Sequence, residues 1–93
     1  MAAPVKPQPR TIRIDLPAPY EGFYAVARLD FPARVLTELQ SGDFERQLAA
    51  FERIVIEHNF TDTDGQTPTS LAEVDPWKMV ELSMQVWGAE LGK

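Results

Sequence analysis

Residues 43–68 read DFERQLAAFERIVIEHNFTDTDGQTP, and the rest of the chain is organised around them. Within residues 43–59 a set of side chains recurs at spacings of four, three, four and three, which at about 100° per residue forms a single helical stripe. These residues are Phe44, Leu48, Phe51, Val55 and His58, with Ile54 at the edge of the stripe. Charged residues occupy the opposite side, where Arg53 and Glu57 form an i, i+4 pair. The pattern predicts an amphipathic helix over residues 43–58.

The end of this stretch predicts a reversal of the chain. Asp64-Gly65 favours a tight turn with a positive φ at the glycine, and Pro68 prevents a helix from continuing. The acidic residues resemble a calcium loop only superficially. With Gly65 at the sixth position, the first and twelfth ligands would be Phe60 and Leu71, which have no side-chain oxygen. A solvated acidic turn is therefore expected.

A β-hairpin is predicted before this helix. Residues 10–16 alternate strictly, with Ile12, Ile14 and Leu16 on one face. The following prolines and Gly22 cannot continue a strand, and a second strand is expected over about residues 23–29. Residues 1–9 contain three prolines without periodicity, which predicts a disordered tail.

Two further helices are predicted from cap-and-proline signals. Asp30-Phe31-Pro32 indicates a helix over about residues 32–41, with Asp30 or Phe31 as the cap, and Asp75-Pro76 indicates one over about residues 76–91. Asp43 is expected to begin the main helix, where its carboxylate meets the positive end of the helix dipole. The predicted fold is a single small α+β domain, residues 10–93, with an N-terminal β-hairpin followed by three α-helices.

The last predicted helix has two apolar arcs. Trp77, Val80, Met84, Trp87 and Leu91 form the first arc, and Met79, Leu82 and Val86 lie roughly opposite. The hairpin and the main helix could each cover an arc, which would bury both. Alternatively, one arc contacts another protein, and Met79, Leu82 and Val86 are then the candidate partner-binding residues.

Composition argues against catalysis and against cofactors. The 93 residues include no cysteine and one histidine, so thiolate sites and zinc sites with two imidazoles are excluded within one chain. His58 at a helix end fits a half-buried packing role better than a catalytic one. The five glycines are scattered singly and form no phosphate loop. We expect neither an enzyme nor a bound metal or cofactor.

Charge and hydropathy indicate the cellular setting. The net charge is −5, and the segment from Glu57 onward contains seven acidic residues but only two basic ones, Lys78 and Lys93. An acidic second half argues against nucleic acid or an anionic membrane as the main partner. The N-terminus lacks a signal-like apolar region and no run approaches the ~18 apolar residues of a membrane span. A cytoplasmic protein is expected.

Several short segments resemble a family of small tail assembly chaperones from long-tailed bacteriophages and prophages. They are residues 11–16 (TIRIDL), 19–24 (PYEGFY) and 40–43 (QSGD), together with residues 58–68 (HNFTDTDGQTP). The last segment is similar to that family's aromatic-Asn-apolar, acidic Asp-Gly and proline turn before a final helix. His58 departs from the pattern, because a larger aromatic residue, often tryptophan, is expected there.

The resemblance implies a non-enzymatic role during virion assembly. Such chaperones coat the tape measure protein and help recruit tail tube protein, and they are absent from the mature virion. The implied partners are therefore these two proteins, in the host cell cytoplasm, and self-association into a homo-oligomer stays open. A longer frameshifted product often accompanies the short one in such families.

Two alternatives remain open at the level of sequence. The chain could be a structural head-tail connector or tail subunit that stays in the virion. It could also be a small host regulatory module that binds proteins and is unrelated to phages. The content of purified virions and the neighbouring genes would separate these functions.

Overall fold

The computed structural model describes residues 4, 5 and 7–92, and shows a three-stranded sheet with helices in an α+β arrangement. In chain order the elements are β1 (Thr11–Asp15), β2 (Tyr24–Arg28), α1 (Ala33–Leu39), α2 (Phe44–Ile54), β3 (Val55–His58), a 3-10 turn (Leu71–Glu73) and α3 (Lys78–Leu91). The α+β class is confirmed, although one strand follows the first two helices. The tail predicted for residues 1–9 lies partly outside the described residues, which exclude 1–3 and 6.

The predicted hairpin is present in regular antiparallel register. Ile14 pairs with Ala25, and both are buried, as is Leu16. The alternation in residues 10–16 therefore does put its apolar side chains on the covered face. The opposite face of β1 carries the exposed side chains Thr11, Arg13 and Asp15.

The main helix ends four residues earlier than predicted. Its last residue is Ile54, and Val55 takes extended backbone angles (φ −77°, ψ 121°) that begin β3. β3 pairs antiparallel with β2, with a register shift that leaves Ile56 as an extra, exposed residue. The helical spacing of Val55 and His58 is therefore misleading, because β-branched Val55 and Ile56 also suit a strand and β2 offers them a partner.

The helix starts agree only partly with the predictions. Asp43 caps α2 as expected, and its carboxylate accepts from the Glu45 N–H at 3.0 Å. In α1 the cap is Pro32 without a side-chain hydrogen bond, so the predicted capping by Asp30 or Phe31 is wrong. Asp30 instead pairs with Arg10.

The last helix begins at Lys78, two residues after the predicted position. Trp77 is its N-cap residue and forms no side-chain cap hydrogen bond. Asp75 is held by the preceding loop, because its N–H donates to the Thr61 carbonyl at 2.9 Å and its carboxylate accepts from the Thr63 hydroxyl at 3.1 Å. These contacts fix the chain in a loop before the helix begins.

The core lies between the sheet and the helices. Its largest fully buried side chains include Phe51 from α2 and Phe60 from the loop after β3. Trp87 from α3 contacts Phe51 with ring centres 5.9 Å apart and Phe31 with ring centres 5.6 Å apart. Phe44 belongs to the predicted buried stripe, but it is 45% exposed because it lies at the first residue of α2.

Candidate functional site

The two apolar arcs of α3 are joined through one buried polar residue. Met79, Ser83 and Trp87 are spaced four apart and therefore lie in one row along the helix. All three are buried, and the Ser83 hydroxyl donates to the Met79 carbonyl at 2.8 Å. This hydrogen bond satisfies the hydroxyl inside the core. Val80 and Trp87 of the first arc thus join Met79 of the second arc in a single covered face.

The predicted partner-binding residues differ in exposure. Met79 is 0% exposed, so a partner cannot reach it and it leaves the candidate surface as a core residue. Leu82 is half-buried against the core, and Val86 is 38% exposed. Leu82 and Val86 are four residues apart and form one side of α3, which we call the α3 flank. Binding of a partner to the α3 flank stays a prediction.

Trp77 lies at the start of α3, outside the core. The sequence pattern assigns it to the first apolar arc, but it is 58% exposed because the helix begins after it. The Lys78 ammonium lies 5.5 Å from the centre of the indole ring and pairs with the Glu81 carboxylate at 2.6 Å. The N-terminal end of α3 therefore presents an aromatic side chain next to a paired charge.

A groove of about 460 Å³ lies beside the start of α1. Its walls are formed by Pro7, Pro9, Arg28, Asp30, Phe31 and Pro32. The Nε of Arg28 is buried and has no hydrogen-bond acceptor among the described residues. The sequence patterns do not indicate this groove, because residues far apart in the chain form it.

Asp30, in the wall of this groove, forms an ion pair with Arg10. The Arg10 N–H donates to the Asp30 carboxylate at 2.8 Å, and the Arg10 guanidinium lies 3.1 Å from the same carboxylate. These hydrogen bonds lower the pKa of Asp30 and raise the pKa of Arg10, since each charge favours the other. The pair ties the start of β1 to the end of β2.

The exposed face of the sheet carries a row of polar contacts. The Arg13 guanidinium lies 4.1 Å from the centre of the Tyr24 ring and 3.1 Å from the Asp15 carboxylate. The Tyr24 hydroxyl donates to the Glu57 carboxylate, and this hydrogen bond raises the pKa of Tyr24. Side chains of all three strands thus interact on this face.

His58 is half-buried in β3, and the packing role predicted for it is consistent with its contacts. Its ring lies 5.2 Å from the Phe60 ring, and Nδ1 accepts from the Phe60 N–H at 3.1 Å. Burial lowers the pKa of His58, while the nearby Glu52 carboxylate opposes this effect. Neutral imidazole is the form that can accept this hydrogen bond. The predicted position at a helix end is wrong, because His58 lies in a strand.

Metal clusters and membrane-spanning helices are both absent from the described residues. No group of three or more histidine, cysteine or acidic side chains there could hold a metal ion. In the same part of the chain, no helix combines the length and the apolar character needed to cross a membrane.

Comparisons with known proteins gave no match: no family model matches the chain, and neither the curated proteins nor the solved structures include a significant relative.

Proposed function

We propose that this protein is a non-enzymatic tail assembly chaperone of a long-tailed bacteriophage or prophage. In this role it binds the tape measure protein in the host cytoplasm, assists assembly of the tail tube and is absent from the finished virion. The proposal rests on the resemblance of the short sequence segments, supported by the positions of those segments and by the exposed apolar surface of α3.

Two of the segments that carry the resemblance, residues 19–24 and 58–68, contact each other. The Asn59 side chain accepts from the Tyr24 N–H at 2.8 Å and donates to the Gly22 carbonyl at 2.8 Å. The Asn59 N–H also donates to the Tyr24 carbonyl at 3.2 Å. Residues 19–24 and 58–68 thus depend on each other structurally. The two segments resemble the chaperone family together. This supports the proposal, because segments that contact each other in a fold are expected to be shared together by proteins that have that fold.

The exposed apolar surface of the α3 flank supports the proposed role in binding another protein. Val86 exposes an apolar side chain beside half-buried Leu82, on a helix whose opposite side is covered by the core. An amphipathic client helix could pack its apolar side against these residues. The acidic second half of the chain would favour a client with basic residues around its apolar side.

The test is co-purification with the tape measure protein encoded in the same genome. Val86→Asp should weaken the complex at least about tenfold, because a charge on the α3 flank would be desolvated by the client, and tenfold corresponds to about 1.4 kcal/mol. The native protein and the variant should show the same circular dichroism spectrum, since Val86 is already partly exposed.

Gln85→Asp is the matched control. It adds the same charge at the neighbouring exposed position of α3, about 100° around the helix from Val86. This variant should retain the client. Equal retention by both variants would contradict the α3 flank as the binding surface. Stoichiometric amounts of the chain in purified virions would contradict the chaperone role itself.

A further inference from the structure

The outer edge of β1 has unpaired main-chain groups. Leu16 and Arg10 flank β1 and form hydrogen bonds to the residues that flank β2, since the Leu16 N–H donates to the Phe23 carbonyl and the Leu29 N–H donates to the Arg10 carbonyl. Because hydrogen bonding alternates along an antiparallel strand, the N–H and C=O groups of Thr11, Arg13 and Asp15 point away from β2. Within the described residues no acceptor or donor engages them.

The other edge of the sheet is less suited to pairing. β3 has four residues, and its pairing with β2 is interrupted by the register shift at Ile56. Bulges and short strands are features that protect an edge from further pairing. β1, by contrast, keeps an unbroken register with β2 over its five residues. β1 is therefore the edge that can accept another strand.

We propose that β1 pairs antiparallel with β1 of a second copy of this chain, giving a symmetric dimer with a continuous six-stranded sheet. The symmetry axis passes beside Ile14, so that Ile14 lies opposite Ile14 of the second copy. In this register Arg13 of each copy lies opposite Asp15 of the other, and Ile12 lies opposite Leu16. This inference is independent of the proposed chaperone role.

Charge selects this register. The outward main-chain groups belong to odd-numbered residues, so odd residues must pair with odd residues across the new edge. A shift by two residues would place Arg13 opposite Arg13, and like charges directly opposite destabilise a strand pair. The proposed register places opposite charges on the exposed face, where Arg13 and Asp15 are 59% and 68% exposed.

The test compares charge reversals by sedimentation over a range of protein concentrations. Arg13→Asp and Asp15→Arg should each raise the dimer dissociation constant at least about tenfold, because each variant places like charges opposite each other. Mixing the two variants should restore a dimer, since each then supplies the charge that the other lacks. The double variant Arg13→Asp/Asp15→Arg should also form a homodimer.

A main-chain substitution gives an independent measurement. Arg13→Pro removes an outward N–H while leaving the hydrogen bonds between β1 and β2, so it should abolish the dimer without unfolding the chain. Amide exchange at Thr11, Arg13 and Asp15 should slow as the concentration of the native protein rises. A native protein that stays monomeric at all concentrations would overturn the proposal. So would a dimer that both single charge reversals leave intact.

Discussion

Individual polar side chains decide several features of this protein that hydrophobic patterns do not. Ser83 is a polar residue between two apolar arcs, yet it is fully buried because its hydroxyl donates to the Met79 carbonyl within the same helix. Asn59 uses both ends of its amide to join the end of β3 to the hairpin. In both cases a polar residue stabilises the fold, because its polar atoms form hydrogen bonds within the protein.

The single histidine gives a pH-dependence that can be isolated. Burial lowers the pKa of His58 in the folded protein, so the unfolded chain binds more protons between the folded pKa and the unfolded value of about 6.5. The free energy of unfolding should therefore rise with pH through this window. The contribution of neutral His58 to the free energy of unfolding is fully present above about pH 6.5. It is lost as the pH falls toward the pKa of His58 in the folded protein.

Urea unfolding between about pH 5.5 and 7 measures this contribution, because carboxylates in unfolded chains titrate near pH 4. His58→Gln keeps a side-chain acceptor for the Phe60 N–H and removes the titration. The stability of this variant should change much less over the same pH range. An equal pH slope in both proteins would show that another group is responsible.

The junction between α2 and β3 shows how a neighbouring strand can end a helix. The helical spacing continues through Val55 and His58, but the chain leaves the helix at Ile54. Val55 then pairs with Ala27 and His58 pairs with Ala25 in β2. The helix ends early because strand pairing satisfies main-chain groups of β2 that the hairpin leaves open.

The acidic turn is organised by one carboxylate. Asp62 accepts from the N–H groups of Asp64 at 2.9 Å and Gln66 at 3.0 Å, and Gly65 adopts a φ of 79°. A left-handed φ of this kind is readily adopted by glycine. The turn predicted from Asp64-Gly65 is confirmed. Its acidic residue Asp62 serves as a main-chain acceptor, which gives it a structural role.

Asp62→Ala should therefore lower the free energy of unfolding by about 1–2 kcal/mol, because two main-chain donors lose their acceptor. Asp62→Asn should retain most of the stability, since the amide oxygen can still accept. Asp64→Ala is the matched control for the loss of one negative charge in the same turn, and it should change stability by less than about 0.5 kcal/mol. Chemical denaturation measures all three. A similar loss in both alanine variants would indicate an effect of charge alone.

Across the folded protein, Trp87 joins elements from separate regions of the chain. Its ring contacts Phe31 before α1 and Phe51 in α2, and its indole N–H donates to the Arg28 carbonyl at 2.9 Å. The sheet, α2 and α3 therefore meet at one side chain. Trp77, ten residues earlier, is mostly exposed and makes no comparable junction among the described residues.

Trp87→Ala should lower the free energy of unfolding by about 3–5 kcal/mol, because it leaves a cavity at this junction. Small domains have a total stability of about 5–15 kcal/mol, so the variant should melt at a markedly lower temperature. Trp77→Phe should change stability by less than about 1 kcal/mol and leaves Trp87 as the single fluorescent tryptophan. Its emission should shift to longer wavelength on unfolding. Equal melting temperatures for the two variants would contradict this assignment.

Local features of this protein follow from its sequence alone: the hairpin from strict alternation, the turn from Asp64-Gly65, and the cap at Asp43. These depend on residues within a few positions of each other, so their patterns are visible in the chain. The folded structure was needed to show that Val55 enters a strand, that Met79 is core and that Asp30 pairs with Arg10. Each of these outcomes depends on a partner distant in sequence. No local pattern reports which distant strand, ring or charge lies beside a residue in the folded chain.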